Sequence, residues 1–72
     1  MSLDLSIGIQ VNGAAEKVAP GTTPAELLLR HGLKGSGIAV AVNDIVVRRN
    51  ELGTLVLSDG DRIEIIRAVG GG

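Results

Sequence analysis

Residues Thr23–Gly32 read TPAELLLRHG, and this stretch decides the fold because it predicts a helix in a chain otherwise patterned as strands. A threonine suited to the N-cap, a proline suited to the first helical position and a glutamate suited to a capping box come together at its start. The glycine at its end favours the left-handed backbone that stops a helix. We expect a helix over residues 24 to about 31. Its sheet-facing stripe is predicted at the spacing i, i+3, i+4: Ala25, Leu28 and Leu29.

The segment before the helix is predicted to be a β-hairpin. Apolar residues occupy every second position of its first part, which is typical of a strand with one buried face: Leu3, Leu5, Ile7, Ile9 and Val11. Asn12-Gly13 follows, a pair that tolerates the positive φ angles of a type I′ turn. Residues 14–18 are then expected to form the returning strand.

The segment after the helix is predicted to supply the remaining strands. Residues 38–42 are apolar on both faces and fit an interior strand. Asn43-Asp44 is predicted to form a tight turn that connects this strand to a short strand over residues 45–47. Leu52 and Leu55 are expected to anchor a crossing segment. A short edge strand is predicted at Val56-Leu57, and the last strand is predicted at residues 62–68 after the turn of residues 59–61. This ββαβ(β)β order indicates an α+β fold, and by analogy a ubiquitin-like β-grasp with a mixed sheet of four to five strands packed on one main helix.

The composition limits the classes of function. The 72 residues allow one domain whose core is aliphatic, because the chain has no Phe, Trp or Tyr. The formal net charge of -1 and the lack of aromatic stacking platforms argue against nucleic acid as a partner. The absence of cysteine excludes a disulfide framework and a nucleophilic thiol. No apolar run reaches the length of a membrane span and no basic signal region precedes the first strand, so we expect a cytoplasmic protein without a membrane partner.

Side chains that could carry conventional catalysis are few. His31, the only histidine, is interpreted as a structural residue near the helix end. Asp59 and Asp61 are interpreted as turn residues, because no further ligands follow at metal-binding spacing, and no metal site is expected. Two interpretations explain the four arginines near the final strand equally well, a surface that docks a partner and an ordinary solvent-exposed strand face: Arg48, Arg49, Arg62 and Arg67.

The C-terminal end carries the main chemical feature. A domain over residues 1–69 is predicted to end in a flexible tail, Gly70-Gly71-Gly72, about 10 Å long at roughly 3.3 to 3.6 Å per residue. Glycines suit a thread that enters a narrow site, because a side chain would widen it and restrict its backbone. A frayed, inert end is the alternative. The Gly72 carboxylate would need activation before it could react, for instance as an acyl adenylate.

The last strand offers a candidate docking surface beside that tail. Ile63 and Ile65 share one face, so Ile66 belongs to the opposite face, where Ala39 and Ala41 are also expected. An exposed isoleucine is common, and a small docking patch and an ordinary surface fit this pattern equally well.

The residues quoted above resemble the ThiS family, the bacterial sulfur carriers of thiamine biosynthesis. The resemblance rests on IAVAVNDIVV at residues 38–47 and LSDGDRIEIIRAVGGG at residues 57–72, and it extends to Asn12-Gly13 and to TPAELL at residues 23–28. The chain departs from the family pattern at Arg48, where a proline is frequent, and at Leu52, where a tryptophan is frequent.

The resemblance implies a carrier and not an enzyme. An E1-like adenylating enzyme would activate the Gly72 carboxylate with ATP, a persulfide donor would convert it to a thiocarboxylate, and thiazole synthase would take the sulfur. The chain itself would bind no cofactor. Gly70 and Gly71 would thread the tail, and Ile66, Arg67 and Val69 would contact partners. The small subunit of molybdopterin synthase, a ubiquitin-like protein modifier and a binding module with an inert tail are the alternatives.

Overall fold

The computed structural model describes residues 5–33 and 37–67, which form one mixed sheet and one main helix. The elements in chain order are β1 (Ile7–Val11), β2 (Ala14–Val18), α1 (Pro24–Arg30), β3 (Ile38–Val42), β4 (Ile45–Val46), a 3-10 helix (Arg49–Glu51) and β5 (Arg62–Arg67). The sheet order is β2-β1-β5-β3-β4, with β1 and β5 parallel and the other pairs antiparallel. No helix in these two ranges is long and apolar enough to cross a membrane.

Both hairpins turn where the sequence predicts, and both turns run through residues with left-handed backbones. Asn12 and Gly13 have φ angles of 50° and 85°, and they join β1 to β2 so that Val11 faces Ala14. Asn43 and Asp44, with φ angles of 51° and 71°, join β3 to β4 in the same way. Positive φ at both central positions matches the twist of the flanking strands.

The helix begins and ends where the sequence signals place it. The Thr23 hydroxyl oxygen accepts a hydrogen bond from the Glu26 N–H at 3.2 Å, which satisfies one of the free donors of the first turn. Gly32, with a φ of 71°, leads the chain out of the helix. The Leu33 N–H then donates to the Leu28 carbonyl at 2.8 Å, which is the long bond of a Schellman motif.

The face that α1 buries differs from the prediction. Leu27 is 1% exposed and Pro24 is buried, whereas Leu29 is 67% exposed. Leu28 packs against the core as expected, and Ala25 is half-buried. The prediction for Leu29 is therefore wrong. The N-cap residue Thr23 and the next residue, Pro24, are both buried at the start of the helix. Leu27 lies about one turn after Pro24 on the same side of the helix, so it also points to the sheet.

The core between sheet and helix is entirely aliphatic. Its buried members come from four strands, the helix and the crossing segment: Ile9, Val11, Val18, Leu27, Val40, Leu57 and Ile63. Leu57 lies outside any strand, so the predicted edge strand at Val56-Leu57 is wrong. The Leu57 N–H donates to the Thr22 carbonyl at 2.9 Å. This bond links the crossing segment to the residues just before α1. Leu52 packs against the core as predicted, but Leu55 remains 39% exposed and anchors the segment less than expected.

Candidate functional site

The candidate site is the end of β5 that leads into the C-terminal residues. β5 lies in the middle of the sheet, between parallel β1 and antiparallel β3, and its Ile63 is 1% exposed. Residues 68–72 lie outside the described ranges, and these include four of the predicted site residues: Val69, Gly70, Gly71 and Gly72. The structure therefore describes the base from which these residues extend.

Asn12 fastens β5 on the β1 side. Its backbone N–H donates to the Ile63 carbonyl at 2.9 Å, and its side-chain Oδ1 accepts from the Ile65 N–H at 2.8 Å. The second bond lies beyond the last paired residues of β1 and β5, Val11 and Ile63. The side chain thus supplies an acceptor where the backbone of β1 has already turned toward β2.

Asn43 fastens the start of β5 on the β3 side. Its N–H donates to the Arg62 carbonyl at 2.8 Å, and its Oδ1 accepts from the Arg62 N–H at 2.9 Å. Its Nδ2 also donates to Asp61 Oδ1 at 3.0 Å. The sequence shows both asparagines as turn residues only. Asparagine is common at positive φ in tight turns, so the pattern does not indicate the second role of either side chain.

Asp59 and Asp61 organise the turn before β5, as predicted. Asp59 Oδ1 accepts from the Gly8 N–H at 2.7 Å, and Asp61 Oδ2 accepts from the Ser58 N–H at 2.7 Å. Gly60 between them has a φ of 88°, which an L side chain rarely adopts. Within residues 5–33 and 37–67, no three His, Asp or Glu side chains group as metal ligands.

His31 joins the helix end to β2. Its Nε2 lies 2.8 Å and 3.1 Å from the two carboxylate oxygens of Glu16, and Arg30 Nε lies 3.2 Å from the same carboxylate. The Glu16 side chain is 16% exposed, so its contacts with Arg30 and His31 are partly screened from water. The arrangement fits the structural role expected of the histidine and is not connected to β5.

The outer face of β5 presents the predicted isoleucine. Ile66 is 49% exposed and faces Ala39 across the β3–β5 pairing, while Ile65 packs against the core. Ala41 shares this outer face but is only 6% exposed, so it adds little contact area. We call Ile66 and Ala39 the Ile66 patch. It lies at the end of β5 next to the C-terminal residues.

The two arginines of β5 lie at opposite ends of the strand. Arg62 and Arg67 are the first and last residues of β5, about 17 Å apart at roughly 3.3 Å per residue. Arg62 Nη2 lies 3.1 Å from Asp44 Oδ2, and both side chains are exposed. Arg67 faces Ile38 at the end of β5 that precedes the C-terminal residues.

Two substitutions of Asn12 are expected to lower the free energy of unfolding by two separate effects. Asn12→Gly keeps a residue that tolerates positive φ but removes the acceptor for Ile65, at a cost of about 0.5 to 1.5 kcal/mol. Asn12→Ala adds left-handed strain of roughly 1 to 2 kcal/mol. Urea unfolding measures both losses, and amide hydrogen exchange at Ile65 reports the missing bond. Asn12→Asp, which retains the acceptor, is the control. Unchanged Ile65 exchange in Asn12→Gly would contradict the fastening role.

Comparisons with known proteins agree on one family. A sequence model of the ThiS family matches residues 9–72. The sulfur carrier protein ThiS of Escherichia coli strain K12 is 33% identical over 64 residues, covering 89% of this chain and 97% of the relative. A thiazole synthase of Magnetococcus marinus is 38% identical over 64 residues, but this chain spans only 20% of its length.

A solved structure shows the same fold. The thiamine biosynthesis protein ThiS of Geobacter metallireducens superposes with a TM-score of 0.77 at 28% identity, covering 92% of this chain and all of the other. The predicted ubiquitin-like β-grasp, with five strands and one main helix, is thereby confirmed.

Proposed function

The chain belongs to the ThiS family, and from that membership we propose that it is a sulfur carrier of thiamine biosynthesis whose reactive group is the Gly72 carboxylate. The observation that carries the proposal is the extent of the family match, which runs through the three terminal glycines to residue 72. The sequence similarity to the Escherichia coli sulfur carrier over nearly all of that protein supports the same assignment.

The proposed chemistry begins with activation of the carboxylate. An E1-like adenylating enzyme brings ATP, a carboxylate oxygen of Gly72 attacks the α-phosphorus, and pyrophosphate leaves. The terminal sulfur of a persulfide donor then attacks the acyl carbon, and AMP leaves. A thiol cleaves the resulting acyl persulfide at its S–S bond, which yields the thiocarboxylate and a disulfide. The chain has no cysteine, so the sulfur and the reducing thiol both come from partners.

The rigid base of the tail supports this role. β5 is paired on both sides, and Asn12 and Asn43 fasten it through their side chains. A strand held in this way limits the volume that a short tail can sample, which favours delivery of its end to a defined point. Gly70 and Gly71 thread the tail, while Ile66 and Arg67 at the end of β5 and Val69 beyond it contact the enzyme that receives it.

Thiazole synthase is the proposed acceptor of the sulfur. A segment similar to this chain makes up a fifth of a relative named thiazole synthase, which supports an association between carrier and synthase. Most of that relative lies outside the matched region, so the thiazole-forming activity is not assigned to this chain. The chain is proposed to be a substrate and carrier, with no bound cofactor of its own.

Sulfur transfer to the synthase tests the function. The carrier is loaded with a heavy sulfur isotope and mixed with thiazole synthase and its remaining substrates in a single turnover. We expect the label in the thiazole product, while the intact mass of the carrier returns to that of the carboxylate form. A loaded carrier that keeps its label here but gives it up to the substrate of molybdopterin synthase when the large subunit of that enzyme is present would overturn the thiamine assignment.

A further inference from the structure

A second candidate binding surface lies at the opposite end of β5 from the tail. An open groove of about 400 Å³ runs between the β3–β4 hairpin and the crossing segment of residues 51–58. We call it the β4 groove. Its aliphatic lining is supplied by both walls: Val42, Ile45, Val46, Val47, Leu55 and Val56. Ile45 is 71% exposed and Val56 is 55% exposed, so aliphatic side chains from both walls are open to solvent.

The charge of the β4 groove has one sign. Its charged lining residues are Glu51 and Asp61, and no lysine or arginine of the described residues lines it. The Asp61 carboxylate is held in place by the Ser58 N–H at 2.7 Å and by Asn43 Nδ2 at 3.0 Å. A fixed carboxylate beside an aliphatic floor complements a ligand that carries a cationic group next to an apolar one.

The backbone at the groove has an open edge. β4 is the last strand of the sheet, and it pairs with β3 alone. Ile45 faces Val42 across the tight turn, and the Val47 N–H donates to the Val40 carbonyl at 2.8 Å. Because antiparallel strands alternate the direction of their backbone groups, the N–H and carbonyl of Val46 point away from β3. An extended peptide can pair with such an edge.

We propose that the β4 groove binds an extended segment of a partner protein with a large aliphatic side chain two residues from a lysine or arginine, so that both side chains lie on the same face of the segment. The aliphatic side chain covers Ile45 and Val56, the cationic side chain lies beside Glu51 and Asp61, and the backbone pairs at Val46. The groove adjoins the first residue of β5, whereas the C-terminal residues follow the last. A partner bound there leaves the Ile66 patch and the tail accessible to a second enzyme.

Peptide titration followed by amide NMR tests the proposal. The probe is the capped peptide Thr-Leu-Thr-Lys-Thr, and the matched peptides replace its lysine with glutamate or its leucine with serine. We expect saturable shifts at Val46, Glu51 and Val56 with the first peptide alone. Ile45→Ser and Glu51→Gln should each weaken binding about fivefold or more, a change of roughly 1 kcal/mol.

Leu5→Ser is the matched control, because Leu5 is 72% exposed and does not line the groove. It should leave the peptide affinity unchanged. Absence of saturable shifts, equal binding of the glutamate peptide, or equal losses in Leu5→Ser and Ile45→Ser would overturn the proposal. Concentration-dependent shifts of the groove amides without peptide would identify a second copy of the chain as the occupant instead, and would overturn it too.

Discussion

Removal of Gly72 is expected to abolish sulfur loading and to leave the folded domain unchanged. The shortened tail ends about 3.5 Å earlier, the length of one extended residue. A displacement of about 1 Å at a reacting group can cost a hundredfold in rate, so we expect adenylation to fall by more than about a hundredfold. The buried part of β5 ends well before this residue, since Ile63 is its last fully buried side chain. Pyrophosphate release measures the activation step, and thermal unfolding measures the fold.

Gly72→Ala separates the length of the tail from its lack of a side chain. This variant keeps the carboxylate at the native distance and adds only a methyl group and a narrower choice of backbone angles. We expect adenylation between that of the native chain and that of the shortened chain, with an unchanged melting temperature. A shortened chain that is adenylated at the native rate would show that the reactive group is not the Gly72 carboxylate.

Leu27→Ala is expected to destabilise the domain more than a change at any other leucine of α1. Leu27 is 1% exposed and packs among the buried strand residues, so truncation removes buried methyl groups and leaves a cavity. Such a change costs about 2 to 5 kcal/mol. Domains are typically stable by only about 5 to 15 kcal/mol, so a large part of the stability is lost. Urea unfolding monitored by circular dichroism measures the loss.

Leu29→Ala is the matched control for that prediction. It deletes the same atoms from the same helix, two residues away, but from a side chain that is 67% exposed. Surface changes of this kind usually stay within about 0.5 kcal/mol. Equal destabilisation by both variants would mean that α1 does not face the sheet through Leu27.

Local signals in the sequence were sufficient for most of the elements. The tight turns at Asn12-Gly13 and Asn43-Asp44, the N-cap at Thr23 and the stop at Gly32 depend on neighbouring residues only, and each was predicted. The face of α1 that packs on the sheet was not predicted correctly. Residues 27–29 are all leucine, and two different apolar stripes along the helix fit that run equally well. Burial of the N-cap, a tertiary feature, selects between them.

Contacts between residues that are distant in the sequence account for the remaining differences between the predicted and the observed structure. Leu57 reads locally as part of a strand, yet its N–H pairs with Thr22, far earlier in the chain. The bond from Ile65 to Asn12 spans 53 positions, which no local pattern indicates. The outward-facing position of Ile66 was predicted correctly from the alternation of β5, whereas the β4 groove depends on how the crossing segment packs beside the hairpin.

The most direct measurement is the mass of the carrier after activation. The chain is incubated with an E1-like adenylating enzyme, ATP and a persulfide donor, and its intact mass and fragments are recorded beside the Escherichia coli ThiS protein as a control. A sulfur carrier gains the mass of one oxygen-to-sulfur exchange, and fragmentation places the sulfur on Gly72. An unchanged mass where the control is loaded, or sulfur placed on any other residue, would contradict the assignment of Gly72 as the sulfur-bearing group.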